Sequence, residues 1–200
     1  MIRTPKFLLL ALAVALVACK GGSGAGAAGN PDEALYKQAD TPENLKGLLE
    51  AIVAANGAGD FKKAATLTRG LVPDATALKV ALRDDAPPAL ADGALKMSQG
   101  LPADDAQVAG LIKPGEPGRT QVNVHGATTE EIAKYEQGGV AYAEFPGGAK
   151  KLAEAALKPG VKFYEVEFVE PGKDAGMKFH MFYWDGARWR MLGPAWRSLR

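Results

Sequence analysis

Apolar residues recur with a helical period in the segment that follows residue 41. Five of them, spaced i, i+3, i+4, i+7 and i+8, predict an amphipathic helix with one buried face. They are Leu45, Leu48, Leu49, Ile52 and Val53. Thr41 suits the N-cap and Pro42 the first helical position, while Asn56-Gly57 predicts the end of the helix.

Further helices are predicted up to residue 112. The second helix begins after Asp60, its N-cap, and ends at Gly70. Its inward face consists of Phe61, Ala64, Ala65 and Leu67. Residues 73–112 predict short helices separated by Pro87-Pro88, Gly93, Gly100 and Pro102. The residues expected to be buried there are Leu78, Leu82, Leu90, Leu95, Val108 and Leu111.

The pattern changes after residues 114–118, which read Pro-Gly-Glu-Pro-Gly. Residues 121–125 alternate like a half-buried strand, and Thr128 with Glu131 fits the capping box of a short helix. Val140–Phe145 is predicted to be another strand. A helix then follows the Pro-Gly-Gly turn after Phe145, and its buried residues are Leu152, Ala153, Ala156 and Leu157.

Two β-hairpins are predicted at the C-terminus. Strands 161–169 and 177–184 flank the loop 171–176, and a second reversal leads into residues 188–192. The register expected from the pleat collects apolar side chains on one face. Its pairs are Phe168 with Phe179, Val166 with Met181, and Tyr164 with Tyr183.

The second hairpin decides which side chains occupy the opposite face. A three-residue bulged loop, Asp185-Gly186-Ala187, keeps the arginines off the apolar face. The opposite, solvated face then carries Phe163, Glu165, Glu167, Lys178, His180, Phe182, Trp184, Arg188 and Arg190. Glu167 falls opposite His180, a pair suited to general acid–base chemistry in a cleft. Since no cleft is visible in the sequence, a cross-strand ion pair on a solvated face is the favoured interpretation.

The order of elements predicts an α+β fold in which N-terminal helices pack with a C-terminal curved antiparallel sheet. Residues 33–113 form the helical part and residues 119–200 the α+β part, together one domain. An apolar share of 47% with 24% charged residues suits a globular protein.

One stretch at each end of this domain resembles the NTF2-like (SnoaL-type) cone. Glu43–Phe61 is similar to its helix–Gly-Asp-Phe–helix opening, and Asp185–Met191 to its Asp-Gly-x-x-Trp hairpin. The resemblance does not cover residues 72–118. It implies a pocket between helices and sheet, and it carries over no catalytic residue.

The chain begins with a short apolar segment behind a positive start. Arg3 and Lys6 precede the uncharged run Phe7–Val17. A spanning helix needs about 20 apolar residues, so this run indicates a signal peptide over residues 1–18. The residues that close it, Leu16-Val17-Ala18-Cys19, resemble the lipobox of bacterial lipoproteins.

The lipobox resemblance implies a lipid anchor. Cys19 would carry a thioether-linked diacylglycerol after cleavage between Ala18 and Cys19, and residues 19–32 would form the lipidated cysteine and a flexible Gly/Ala tether. Lys20 stands where an aspartate would signal inner-membrane retention. By analogy with diderm lipoproteins, this favours the outer membrane, facing the periplasm or the cell surface. An ordinary secreted protein is the alternative.

Charge and residue types exclude several classes of function. Without Arg3 and Lys6 the chain has 22 basic against 23 acidic residues, which offers no footprint for nucleic acid. Its single cysteine forms no internal disulfide. His125 and His180 lack metal-ligand spacing, and neither Asp84-Asp85 nor Asp104-Asp105 forms an EF-hand loop. No metal site, cofactor or catalytic set is expected.

Other residues leave several functions open. The turn 146–148, followed by Lys150-Lys151, could hold an anion, although an ordinary strand-to-helix turn fits better. A non-enzymatic envelope module that binds a protein or small ligand is the leading hypothesis. The alternatives are an envelope enzyme with an NTF2-like pocket that uses His180 and Glu167, and a structural envelope protein.

The anchor can be tested on the mature N-terminus. Because the lipobox resemblance makes Cys19 the first residue, mass spectrometry should find it acylated and residues 1–18 removed. The Cys19→Ser variant should lose the acyl chains and leave the membrane fraction. An unmodified cysteine in the wild-type chain would contradict the anchor.

Overall fold

The computed structural model describes residues 34, 35 and 37–199 of the chain. The predicted leader, Ala18, Cys19 and the tether lie outside these residues. From residue 42 onward it contains eight α-helices and a four-stranded sheet. The helices are α1 Pro42–Gly57, α2 Phe61–Gly70, α3 Ala75–Ala81, α4 Pro88–Gln99, α5 Asp105–Ala109, α6 Thr129–Lys134, α7 Val140–Glu144 and α8 Gly147–Ala155.

The four strands form an antiparallel sheet in sequential order. They are β1 Gln121–Thr128, β2 Lys162–Val169, β3 Met177–Trp184 and β4 Trp189–Met191, and a 3-10 helix, Ala195–Ser198, follows. Each neighbouring pair of strands is antiparallel. The α+β class is therefore confirmed, with helices in the N-terminal half and the sheet towards the C-terminus.

Local capping sets the helix starts that the sequence predicts. Thr41 Oγ1 accepts a hydrogen bond from the Asn44 amide at 3.2 Å, and Asp60 Oδ1 accepts one from the Lys63 amide at 3.1 Å. The Thr128–Glu131 capping box has both of its hydrogen bonds. Each side chain satisfies an amide that has no partner inside its helix, which explains why these boundaries can be predicted from the sequence.

The segment predicted as a strand at Val140–Phe145 is instead the helix α7, Val140–Glu144. Ala141 and Phe145 are both buried, whereas Val140 and Tyr142 are exposed. These two buried residues are four positions apart, which fits one face of a helix. The same six residues also fit the alternation of a strand, so the pattern alone does not distinguish the two. Glu144 therefore lies at the end of α7, a helix that packs against strand Gln121–Thr128 of the sheet.

Two burial predictions and one predicted helix break in the helical part are wrong. Phe61 is 42% exposed and Leu111 is 47% exposed, and the neighbouring Ile112 is buried instead. Gly93 does not break a helix, because α4 continues through it. Phe61 is the first residue of α2 and Leu111 follows the end of α5, and at such positions a small error in a helix boundary exchanges inward and outward residues.

The predicted register of the first hairpin is wrong. Near the loop Val166 pairs with Phe179, but further along Tyr164 pairs with Phe182. The shift is a β-bulge at His180 and Met181 opposite Glu165, and Met181 has a left-handed φ of 60°. An extra residue in one strand reverses the faces of all the residues beyond it.

The bulge also explains the second hairpin. Trp184 pairs with Trp189, so four residues, 185–188, separate the paired positions instead of the predicted three-residue bulged loop. Arg190 pairs with Tyr183. The irregularity that the apolar pattern requires lies inside β3 and not in the loop.

The sheet is buried on both faces. We call the face of Tyr164, Val166 and Phe168 the front face and that of Phe163, Glu165 and Glu167 the back face. The front core joins α1, α2 and the sheet through Leu45, Leu48, Leu49, Ile52, Leu67, Leu71, Ile112, Val122, Tyr164, Val166, Phe168, Phe182 and Trp189. The back core joins α3, α4 and α6–α8 to residues that include Ala127, Phe163, Met181, Tyr183 and Leu192. The predicted solvated face is therefore wrong, because helices cover it.

A buried guanidinium ties the last strand to the helical part. Arg190 Nε donates to Asp185 Oδ2 at 2.7 Å, and Nη2 lies 3.1 Å from Asp74 Oδ2. Nη1 donates to the carbonyl oxygen of Val72 at 2.7 Å. One side chain thereby links β4, the β3–β4 hairpin and the loop between α2 and α3.

The two carboxylates bound to Arg190 differ in burial. The Asp185 side chain is 8% exposed and that of Asp74 is 61% exposed. Burial raises the pKa of Asp185, but the hydrogen bonds from Arg190 and from the amides of Ala187 and Arg188 outweigh burial and hold that pKa below its ordinary 3.8. The ionised form is therefore favoured by folding.

Asp185→Asn should lower the free energy of unfolding by about 1.5–3 kcal/mol at pH 7, because Arg190 loses its buried anionic partner. Asp74→Asn, at an exposed position, should cost less than about 1 kcal/mol. The difference between wild type and Asp185→Asn should be complete above about pH 4 and shrink as the pH falls through the lowered pKa. Urea denaturation of the wild type and of both variants measures these differences. Equal effects of the two substitutions would contradict the conclusion that Asp185 is the main anionic partner of Arg190.

Candidate functional site

Polar side chains from three strands meet on the back face of the sheet. His125 of β1 pairs with Glu165 of β2, and Glu167 of β2 pairs with Lys178 of β3. Directly opposite residues of an antiparallel pair share a face, so these side chains lie side by side. His180 lies at the bulge, two residues after Lys178.

Glu165 is the buried centre of this group. Its side chain is 1% exposed, and Oε2 lies 2.5 Å from Nδ1 of His180. Oε1 accepts a hydrogen bond from the Met181 amide at 3.2 Å. The bulge supplies both partners, because His180 and Met181 are the two residues that together oppose Glu165.

Burial raises the pKa of Glu165 above its ordinary 4.5. The hydrogen bond and charge of His180, the Met181 amide and the charge of Lys178 act in the opposite direction without cancelling the effect of burial. An ionised Glu165 is held by these groups and is screened from water. Such a carboxylate fixes the tautomer of the imidazole that donates to it, which leaves Nε2 as the free nitrogen.

The C-terminal 3-10 helix forms one wall beside His180. The rings of Trp196 and His180 meet edge to face with centroids 5.2 Å apart. A Cβ at Gly148 would lie 2.3 Å from Trp196 Cδ1, so only glycine permits this close packing. The His180 side chain remains 26% exposed. The imidazole is thus fixed on one side and accessible on another.

A second set of ion pairs surrounds this centre. Glu144 at the end of α7 accepts a hydrogen bond from Lys178 Nζ at 3.1 Å, and its carboxylate lies 3.7 Å from His125 Nε2. Glu167 Oε2 lies 4.0 Å from Lys178 Nζ. Its other oxygen accepts the Gly176 amide at 2.8 Å. Lys178 therefore links α7 to the strand that carries Glu165.

The predicted partner of His180 is corrected. Glu167 does not face His180, because Glu167 pairs with Lys178 and the bulge places His180 against Glu165. The sequence singles out His180, but it does not predict which residues surround His180 in the structure. These are Glu165, Lys178, Glu144 and Trp196. Glu165 and Glu167 alternate with the apolar residues Tyr164, Val166 and Phe168, and this alternation is the signal that marks both acids as members of one face.

The other polar motifs have structural roles. Asp104 accepts the Gln107 amide at the start of α5, and Asp105 lies 2.6 Å from Arg69. Gly148, in the turn considered for anion binding, packs against Trp196. Among the described residues no group of three or more His, Cys, Asp or Glu side chains could hold a metal ion. No helix within residues 37–199 is both long and apolar enough to cross a membrane.

The front side of the molecule carries an open cleft of about 570 Å³. Val53 and Ala54 of α1, with Val122 and Phe168 of the sheet, form its apolar part. The loop 113–120 forms the opposite wall. The charged residues at the cleft are Glu50, Lys113, Glu116 and Arg119.

Comparison with known proteins finds no family model, no curated protein and no solved structure that matches the chain. The chemistry of the site must therefore be inferred from its own geometry.

The tautomer of His180 is testable by ¹⁵N NMR. With an ionised Glu165 as acceptor, the neutral ring should carry its proton on Nδ1. In Glu165→Gln the side-chain amide can donate to Nδ1 while its oxygen keeps the Met181 amide, so the proton should move to Nε2. His125 should show no such change. An Nε2-protonated His180 in the wild-type protein would contradict this arrangement.

Proposed function

We propose that the protein is a lipid-anchored envelope protein that binds the apolar part of an amphipathic small molecule or peptide in the front cleft. The observation that carries the proposal is the combination of an apolar floor and a charged rim in one cleft. Ligand sites commonly combine an apolar lining with a few polar groups that set orientation.

The front core and hydrogen bonds within the loop 113–120 hold the residues around the cleft in place. Its apolar floor consists of side chains from α1 and from neighbouring strands of the front core. In the loop wall, Arg119 donates to the Pro114 carbonyl oxygen at 3.2 Å and lies 3.3 Å from Glu116. A cleft that exists before binding reduces the entropy cost of ordering it around a ligand.

The rim has both signs of charge. Lys113 and Arg119 offer cationic groups, and Glu50 and Glu116 offer carboxylates. The apolar floor can remove an aliphatic or aromatic group of the ligand from water, which contributes about 1.5–3 kcal/mol for a side chain of leucine or phenylalanine size. A ligand with an apolar body and a polar end suits this combination better than a uniformly charged one.

The anchor would keep the cleft close to a membrane. An acylated Cys19 followed by a Gly/Ala tether of some 14 residues would place the folded part within about 20 Å of the surface on average. Ligands that partition into or leave a membrane would then be concentrated near the cleft. This part of the proposal rests on the lipobox resemblance alone.

A filled cleft should bind less. Ala54→Trp places an indole in the apolar floor, and it should weaken binding of 1-anilinonaphthalene-8-sulfonate to residues 20–200 by about tenfold or more, since the probe's aromatic rings lose their contact surface. The matched control is Ala106→Trp on the exposed side of α5, outside this cleft. Fluorescence titration measures both, with urea midpoints to verify folding. Equal affinities in the two variants would refute binding in the cleft.

A further inference from the structure

We propose that Glu165 and His180 form a general acid–base dyad on the back face of the sheet, and that it hydrolyses carboxylic esters with water as nucleophile. This activity is separate from ligand binding in the front cleft, because the two sites lie on opposite faces of the sheet.

The first argument is the fixed orientation of the imidazole. Glu165 holds Nδ1 of His180 with one oxygen and the Met181 amide with the other. Since the carboxylate is buried, water does not compete for either contact. A histidine held in this way presents Nε2 as its reactive nitrogen, and the carboxylate stabilises the imidazolium that forms when Nε2 takes a proton.

The second argument is the local backbone. Met181 has a φ of 60° in the middle of a strand, where a left-handed conformation costs on the order of 1–3 kcal/mol. A regular strand would avoid this cost but would place only one residue opposite Glu165. The strained bulge aims the His180 imidazole and the Met181 amide at one carboxylate, and bulges are over-represented next to active sites.

The third argument is the surroundings of His180. Trp196 blocks one side of the ring and the exposed fraction of the side chain leaves room for a substrate on another. Lys178 projects from the same face of β3 two residues earlier, about 7 Å away along the strand. Its ammonium group is held by Glu144 and can offset negative charge that develops near His180.

These groups define the reaction. Nε2 of His180 accepts a proton from a water molecule as the water oxygen attacks the ester carbonyl carbon, and the carbonyl electrons move to the oxygen beside Lys178. The tetrahedral intermediate then collapses, the bond to the alcohol oxygen breaks, and Nε2 returns its proton to the departing alcohol. Water is the only co-reactant. No hydroxyl or thiol side chain hydrogen-bonds His180 within the described residues, so the nucleophile is water.

The test uses p-nitrophenyl acetate and the full chain purified in detergent. His180→Asn keeps a donor at the position of Nδ1 for Glu165 but removes Nε2, so the second-order rate constant should fall by roughly tenfold or more. The chain has one other histidine, and His125→Asn leaves the Glu165–His180 contact in place, so it should lower the rate much less than His180→Asn does. Thermal unfolding should verify that both variants fold.

Glu165 acts as a positioning residue, and an exposed glutamate outside the site, Glu154 of α8, gives the matched control. Glu165→Gln should lower the rate by roughly tenfold and shift the His180 proton to Nε2 in the ¹⁵N spectrum, whereas Glu154→Gln should change neither. If His180→Asn fails to fold, diethylpyrocarbonate modification of the wild type, with the modified histidine located by mass spectrometry, replaces it. Loss of rate must then follow modification of His180.

Two outcomes would overturn the proposal. One is a rate for His180→Asn, or for the His180-modified protein, equal to that of wild type. The other is a wild-type rate no greater than that of an equal concentration of N-acetylhistidine, which would make His180 an ordinary imidazole.

Discussion

The arrangement of the sheet depends on one buried carboxylate. Glu165 lies in the centre of β2 with helices over both faces of the sheet, and its charge is tolerated because His180 and the Met181 amide bond to it. Hydrogen bonds to a charged group each contribute about 1.5–3 kcal/mol, which offsets much of the desolvation cost. Without the bulge the amide would be turned away, so the carboxylate and the bulge require each other.

The bulge in turn assigns the aromatic residues of β3 to their cores. Phe179 lies on the front face before it, and Phe182 follows on that same face after it, which an unbroken strand would not allow. Met181 and Tyr183 fill the back core instead. A strand with large apolar residues at consecutive positions can therefore contribute to two cores, because one extra residue changes the face that each following side chain occupies.

Much of the fold can be predicted from the sequence, because caps and periodicity are local. Thr41, Asp60 and Thr128 each mark a helix start through a hydrogen bond made within three residues. The register of β3 could not be predicted in this way. Nothing in the sequence distinguishes Met181 as a residue with positive φ, so the regular pleat that the sequence predicts pairs His180 with Glu167 instead of Glu165. The sequence predicts which residues share the face of the site, but not which of them contact His180.

A buried carboxylate inside a core needs a reason other than stability. Its desolvation cost is offset only where the geometry of its partners is favourable. Burial raises the pKa of Glu165, so the folded chain holds its proton more readily than the unfolded one, and stability falls as the pH rises from 4.5 through the raised pKa. Asp185 behaves in the opposite sense, since folding favours its ionised form. Asp185 therefore contributes to stability near neutral pH, whereas Glu165, with the strained Met181 beside it, costs stability there. Glu165 thus fixes the orientation of a partly exposed histidine at a cost in stability, and this is the arrangement that the proposed acid–base role of His180 requires.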